Sequence, residues 1–249
     1  MSHRTVTVAP SLKELKERLE SIITDSWNAF LVSHQDGSRF TLVVSGGSLI
    51  DILVDVLPNI NVSEKDGSKW LIFFADERLV EFHHSESTYG SYVAKLLPKV
   101  KYLTCENFVS INTYLLYDPS LVAKDYEDRI RREFNNMLPS MDLILLGMGP
   151  DGHTASLFPK HKLLKETKSW IAAITDSPKP PPCRITFTLP LINAGKKVVI
   201  VTTGSSKSEM ISNIFKNDPS EDIPISLVVP DKGSLEWLVD SEAGKLLDQ

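Results

Sequence analysis

Cysteine is nearly absent. Cys105 and Cys183 are the only two in 249 residues, and no C-x-x-C occurs. That argues against a disulfide framework and against a thiolate metal site, so two reduced thiols are expected. No run of about 18 apolar residues exists to cross a membrane. The opening stretch, MSHRTVTVAPSLKELKERLE, lacks an apolar h-region and carries acids early. A cytoplasmic protein is expected, with no membrane partner. Positive charge is not in excess either, because 27 Lys and Arg face 32 Asp and Glu for a net charge of −5. Nucleic acid is therefore not an expected partner, although a local basic pocket for a small anion remains compatible. Nothing in the sequence sets an oligomeric state, and a monomer is the simplest form. Also missing are the G-x-G-x-x-G dinucleotide fingerprint, a complete Walker loop and a G-x-S-x-G nucleophile elbow.

Short, continuous apolar runs are plentiful: 39–45, 69–76, 141–147, 170–176, 184–189, 196–203 and 225–229. Runs of this length, rich in Val, Ile, Leu and Phe, suit strands buried on both faces. The alternating TVTVA at 5–9 suits an edge strand. Between the runs lie helical patterns. Leu12, Leu15, Leu19, Ile22, Ile23, Trp27 and Phe30 recur at spacings of three and four, with charges opposite. Ser11 and Glu14 suit a capping box before that helix. Helices are also expected over 119–138, 205–216 and 234–248. Strands alternating with helices predict an α/β fold, a mainly parallel sheet with helices on both faces. The polyproline-like arm DSPKPPPCR (176–184) is the nearest thing to a linker, and one domain over 1–249 is expected.

Four of the apolar runs end in unusual chemistry, always just beyond the strand. Ligands of open parallel sheets bind at that carboxyl rim. Ser45-Gly46-Gly47-Ser48 opens a helix. Its glycines let backbone N–H groups approach an anion, although an ordinary turn capped by Ser48 has the same sequence. Asp76-Glu77-Arg78 either pairs internally or offers Arg78 as a bidentate clamp for carboxylate or phosphate. His83, His84 and Glu86 lack ligand spacing and read as surface residues, so no metal site is expected. Lys207 sits one turn into a helix, where a cation does not help the helix dipole; a phosphate partner explains it, as does plain solvation. Arg184 begins a strand behind the prolines, either as an edge arginine or as a second guanidinium over the crevice.

The fourth cluster, LLGMGPDGHTASLFP at 145–159, places one imidazole in a glycine-rich turn with a carboxylate two residues before it. An unperturbed imidazole titrates near neutrality, and Asp151 is placed to fix the tautomer of His153. Thr154 and Ser156 are not marked as nucleophiles, so a base that activates water is the natural reading.

Taken together, SGGS at 45–48, DERLV at 76–80, LLGMGPDGHTASLFP at 145–159, RITFT at 184–188 and GSSK at 204–207 resemble the 6-phosphogluconolactonase family over essentially the whole chain, in order. They also look like its wider relatives, the glucosamine-6-phosphate deaminases. SPKPPPCRITFTLP is similar to the fungal branch. The resemblance implies a Rossmann-like domain, no cofactor, and a phosphorylated sugar lactone as substrate. The implied reaction is hydrolysis of 6-phospho-D-glucono-1,5-lactone in the oxidative pentose phosphate pathway. By the same resemblance, His153 is the base, Asp151 its orienter, Arg78 and Arg184 bind substrate and developing charge, and Ser45, Gly46, Gly47, Ser48 and Lys207 hold phosphate. One departure stands out: the family follows DER with Ser-Asn, whereas this chain has Ser87-Thr88.

Two other functions fit the resemblance less well. The deaminases follow DGH with Phe-Asn-Glu-Pro, where this chain offers Ser156-Leu157-Phe158-Pro159 and no carboxylate. A non-catalytic paralogue would keep the pocket as a binding or regulatory protein; fungal relatives have been linked to tRNA traffic. Intact Asp151, His153 and Arg78 favour catalysis.

Overall fold

The computed structural model describes residues 5–33 and 37–247. Its strands are β1 (Thr5–Ala9), β2 (Phe40–Val44), β3 (Trp70–Phe74), β4 (Asp76–Arg78), β5 (Leu143–Gly147), β6 (Ile171–Ile174), β7 (Arg184–Phe187), β8 (Lys197–Thr202) and β9 (Ser234–Asp240). The helices are α1 (Leu12–Ser33), α2 (Ser48–Val56), α3 (Glu64–Gly67), α4 (Thr88–Lys95), α5 (Pro119–Glu133), α6 (Leu189–Asn193), α7 (Ser208–Lys216) and α8 (Ser241–Gly244).

Six strands form an all-parallel sheet in the order β1-β9-β8-β5-β2-β3. Alternation along each strand feeds two separate cores, as a pleat with both faces covered requires. Val43, Ile144, Leu146, Val198, Ile200, Trp237 and Val239 point to one face and pack with α5, α6 and α7. Leu42, Val44, Leu143, Leu145, Val199, Val201 and Leu238 point to the other, where α1 and α2 lie. This is the expected α/β fold, with helices on both faces.

The chain leaves β2 toward one edge of the sheet and later returns past it to β5. The β2 and β5 exits are therefore neighbours from which the chain diverges, the position where such sheets open a crevice. Beyond β3, a second sheet begins. Ala75 donates to Val44 O at 2.8 Å and accepts from Phe187 N at 2.7 Å, and β4 then pairs antiparallel with β7, itself paired with β6. Runs 170–176 and 184–189 thus belong to this small antiparallel sheet and not to the main one.

Three expected elements differ in detail or kind. The run 225–229 is not a strand: a 3₁₀ turn (Pro224–Leu227) takes up its start, and Ile225 N bonds to Gly152 O at 3.0 Å, which tucks the run beneath that loop. A short apolar run serves a buried turn as well as a strand. Residues 234–240 are β9, between β1 and β8, and only 241–244 are helical; residue 248 of the expected helix lies outside the described residues. There Glu236, a helix former by propensity, is held in a strand by Arg18, Thr7 and Lys197. Helix α5 starts at the Asp118 cap and stops at Glu133, short of 138, because Asn135 and Asn136 turn left-handed at φ 51° and 61°. Ser11 does cap α1, accepting from Lys13 N, but the Glu14 carboxylate takes the Ser11 hydroxyl instead of its backbone N–H.

At the outer edge of β3, the Tyr126 hydroxyl stands in for a missing strand, accepting from Phe74 N at 2.9 Å and lying 3.4 Å from Phe74 O. Tyr126→Phe leaves that buried N–H without an acceptor. The expected cost is about 1–3 kcal/mol, read as a lower urea midpoint at unchanged slope.

Candidate active site

The exits of β2, β5 and β8, together with β4 and β7, surround a cleft of ≈ 330 Å³. Ser45, Gly46, Gly47, Ser48, Arg78, His153, Arg184 and Lys207 all line it, so the structure brings the sequence-selected residues to one place. Asp151 stands behind His153. Asp76 and Lys179 also line the cleft.

The β5 exit folds back on itself. Gly149 N donates to His153 O, Gly152 N donates to Gly149 O, and Thr154 Oγ1 donates to Gly147 O. Gly152 adopts φ 77°, which favours glycine. The loop lays the imidazole directly on Gly149, where a Cβ would come within 1.9 Å of both Cε1 and Nδ1. His153 Nδ1 lies 2.5 Å from Asp151 Oδ1. Burial pushes the imidazole below its usual 6.5, and Asp151 pulls it partly back up. Burial acts to raise the Asp151 carboxyl, but the bond to His153, the His153 and Lys179 charges and a backbone N–H together outweigh it and hold the carboxyl below its usual value. An ionised carboxylate this close requires a proton on Nδ1. That leaves Nε2 as the proton acceptor. Phe158 lies tilted beside the ring, with the centroids 5.0 Å apart.

Strand alternation sorts the Asp76-Glu77-Arg78 cluster. Asp76 and Arg78 face the cleft, while Glu77 turns inward and accepts N–H bonds from Arg78, Thr88 and Tyr89 at 2.8 Å each. Burial pushes the Glu77 carboxyl up to about 7. The Arg78 guanidinium pairs with neither Asp76 nor Glu77. Arg78 Nη1 instead bonds to the backbone oxygen and the carboxylate of Glu86, both at 3.0 Å, and this leaves its Nη2 donors uncommitted.

Arg184 is more occupied. It is buried, with Nε on Pro181 O, Nη2 on Lys179 O and Pro180 O, and Nη1 3.4 Å from Ser156 Oγ. Of its five N–H groups, one remains for a ligand. Its main task is to fasten the arm, which is a tight turn with a cis Pro180–Pro181 bond and not an extended polyproline segment.

Gly47, at φ 67°, precedes α2, and no side chain caps that helix. Ser48 is the first residue of α2 and not its cap, so the first N–H groups of α2 have no side-chain cap where Gly47 and Ser48 line the cleft. Lys207 closes a 3₁₀ turn (Ser205–Lys207) just before α7, not one turn inside a helix. Its Nζ donates to Met148 O at 2.8 Å, and burial lowers its pKa. Thr88, the departure from the family pattern, is buried behind the bend. Its Oγ1 lies 3.2 Å from where a Gly46 Cβ would be, and its N–H rests on Glu77. It braces the bend from behind and does not line the cleft. His83 and His84 are exposed.

Lys179 and Asp76 are the site residues that sequence reasoning passed over. Lys179 sat within prolines read only as a stiff arm. The available signal was its position five residues before Arg184, on a segment already suspected of reaching the crevice. In sequence Asp76 reads as a partner for its neighbours, whereas its Oδ2 accepts from Ser156 Oγ at 2.7 Å.

A family profile described as glucosamine-6-phosphate isomerases/6-phosphogluconolactonase matches residues 10–237. The 6-phosphogluconolactonase of Bos taurus is 40% identical, covering 98% of this chain and 94% of the bovine protein. The human one is 39% identical over 97% and 93%. The solved 6-phosphogluconolactonase of Trypanosoma cruzi superposes with a TM-score of 0.83 at 25% identity, covering 98% of this chain and 97% of that one.

The His153 environment sets an expected titration. Its ring midpoint, followed by NMR, falls below 6.5, and Asp151→Asn lowers it further by removing the partner that favours the imidazolium. A midpoint at or above 6.5 in the native protein contradicts this account of the ring.

Proposed function

The chain belongs to the glucosamine-6-phosphate isomerase/6-phosphogluconolactonase family, and we propose that it hydrolyses 6-phospho-D-glucono-1,5-lactone to 6-phospho-D-gluconate with His153 as the base for water. The reaction belongs to the oxidative pentose phosphate pathway. The carrying observation is the convergence of the Asp151–His153 pair, the cations Arg78 and Lys207, and the uncapped start of α2 in one cleft.

The site's chemistry supports a water nucleophile. Thr154 and Ser156, the hydroxyls next to His153 in sequence, are committed to Gly147 O and to Asp76. Water therefore attacks C1 as its proton passes to Nε2, and Asp151 supports the imidazolium that forms. The carbonyl oxygen becomes an oxyanion, which the free donors of Arg78 and the remaining N–H of Arg184 stabilise. Collapse breaks the bond from C1 to the ring oxygen, and His153 returns the proton to that oxygen. The product is the open-chain hydroxy acid, which ionises at neutral pH. The phosphate is remote from C1. Backbone N–H groups at Gly47 and Ser48, the Ser48 hydroxyl and Lys207 hold it, the Ser45 hydroxyl being spent on Leu145 O, and its binding energy orients the ring.

The test is lactone hydrolysis above the spontaneous rate by purified protein. His153→Ala lowers kcat by about 10²–10⁴-fold while calorimetry still detects 6-phosphogluconate binding. A folded native protein with no acceleration leaves a binding protein instead, and near-native turnover by the variant removes the base. Lys207→Ala raises KM for the phosphorylated lactone more than for glucono-1,5-lactone; an equal effect on both removes the phosphate contact.

A further inference from the structure

The arm at 177–182 does more than border the cleft. Ser177 N donates to Pro182 O, Ser177 Oγ donates to Lys179 O at 2.8 Å, and Lys179 N returns a bond to Ser177 Oγ at 3.2 Å. Arg184 adds its bonds to the carbonyls of Lys179, Pro180 and Pro181. This bracing delivers one side chain to one place. Lys179 Nζ lies 3.4 Å from Asp151 Oδ1 and 3.1 Å from His153 Nδ1.

The Nδ1 proton is already committed to Asp151. The ammonium therefore shares the carboxylate oxygen with the ring and cannot also donate to Nδ1. Its approach places a positive charge against an imidazole that would become positive on protonation. Like charges in contact disfavour the second ionisation. The other charged groups around the ring are Asp151 on its own loop and Asp76 from β4, both of which favour the imidazolium. Arg78 from β4, Arg184 from β7 and Lys207 before α7 line the same cleft as further cations. Among the described residues, Lys179 is the cation whose charge touches the ring.

We propose that Lys179 is a positioning residue for His153: held over the Asp151–His153 pair by the Arg184-fastened arm, its ammonium keeps the imidazole neutral, with Nδ1 protonated and Nε2 open toward the cleft. This rests on the reading of His153 as the base. The lysine resists premature protonation of the ring and hastens its discharge once it has taken a proton from water. Arg184 acquires a clear purpose in the same arrangement, since three of its donors set where the lysine stands.

The experiment follows the six histidine rings by ¹H–¹⁵N NMR against pH in the full chain without substrate, with His153 identified by its missing signals in His153→Asn. Lys179→Met raises the His153 midpoint by about one unit and moves the acid limb of kcat/KM upward with it. Lys179→Gln behaves as Lys179→Met does, and Lys179→Arg, which keeps the charge, restores the native midpoint and limb. An unchanged His153 midpoint in both neutral variants overturns the proposal, as does an arginine variant that titrates like them. Native-like turnover by His153→Asn removes the base reading instead, and the ring titrations still decide whether Lys179 controls the imidazole.

Discussion

An imidazole lying on bare backbone is the constraint around which the cleft is built. His153 rests where any Gly149 side chain would have to be, and the loop closes through bonds between residues 147 and 154. Ile225, held to Gly152 O, seals that loop from beneath. Remove the space at Gly149 and the ring must swing away from Asp151, taking the open nitrogen out of the cleft. The glycines are therefore less about flexibility than about clearance. The sheet contributes a rigid β5 whose exit lies next to that of β2, so the same clearance places the ring beside the uncapped glycine bend.

The cleft gathers four cations against two carboxylates, and it avoids self-repulsion by giving each cation a structural tie. Arg78 leans on Glu86, Lys207 on Met148 O, Lys179 on Asp151, and Arg184 on the carbonyls of the arm. Each tie uses part of the donor capacity and leaves part facing inward. The result is a positive environment assembled before any anion arrives, which reduces reorganisation during reaction. The net charge of the whole chain, −5, gave no hint of this local balance.

Much of this was legible in sequence because glycine, aspartate and histidine at fixed offsets after a buried run have few structural uses. The rim location of all four clusters followed from the parallel-sheet rule. Other features lay outside local pattern. The SLEWLVD segment reads as helix until Glu236 meets Arg18 and Lys197, partners distant in sequence. Run 225–229 has a strand's composition but a turn's position. Lys179 belongs to the site only because Arg184 bends the prolines back toward β5, a contact that no spacing rule expresses. Thr88 in place of asparagine gained a meaning only when it was found behind the Gly46–Gly47 bend.

Ala75 gives one further consequence. A single residue hands the chain from one sheet to the other, its N–H bonded to Val44, just before the bend, and its carbonyl to Phe187, at the end of the strand that begins with Arg184. The span between the glycine bend and the two guanidiniums is thereby fixed by main-chain geometry, like the jaws of a calliper set to one opening. On the proposed reading, such a gauge favours molecules whose charged groups match that separation.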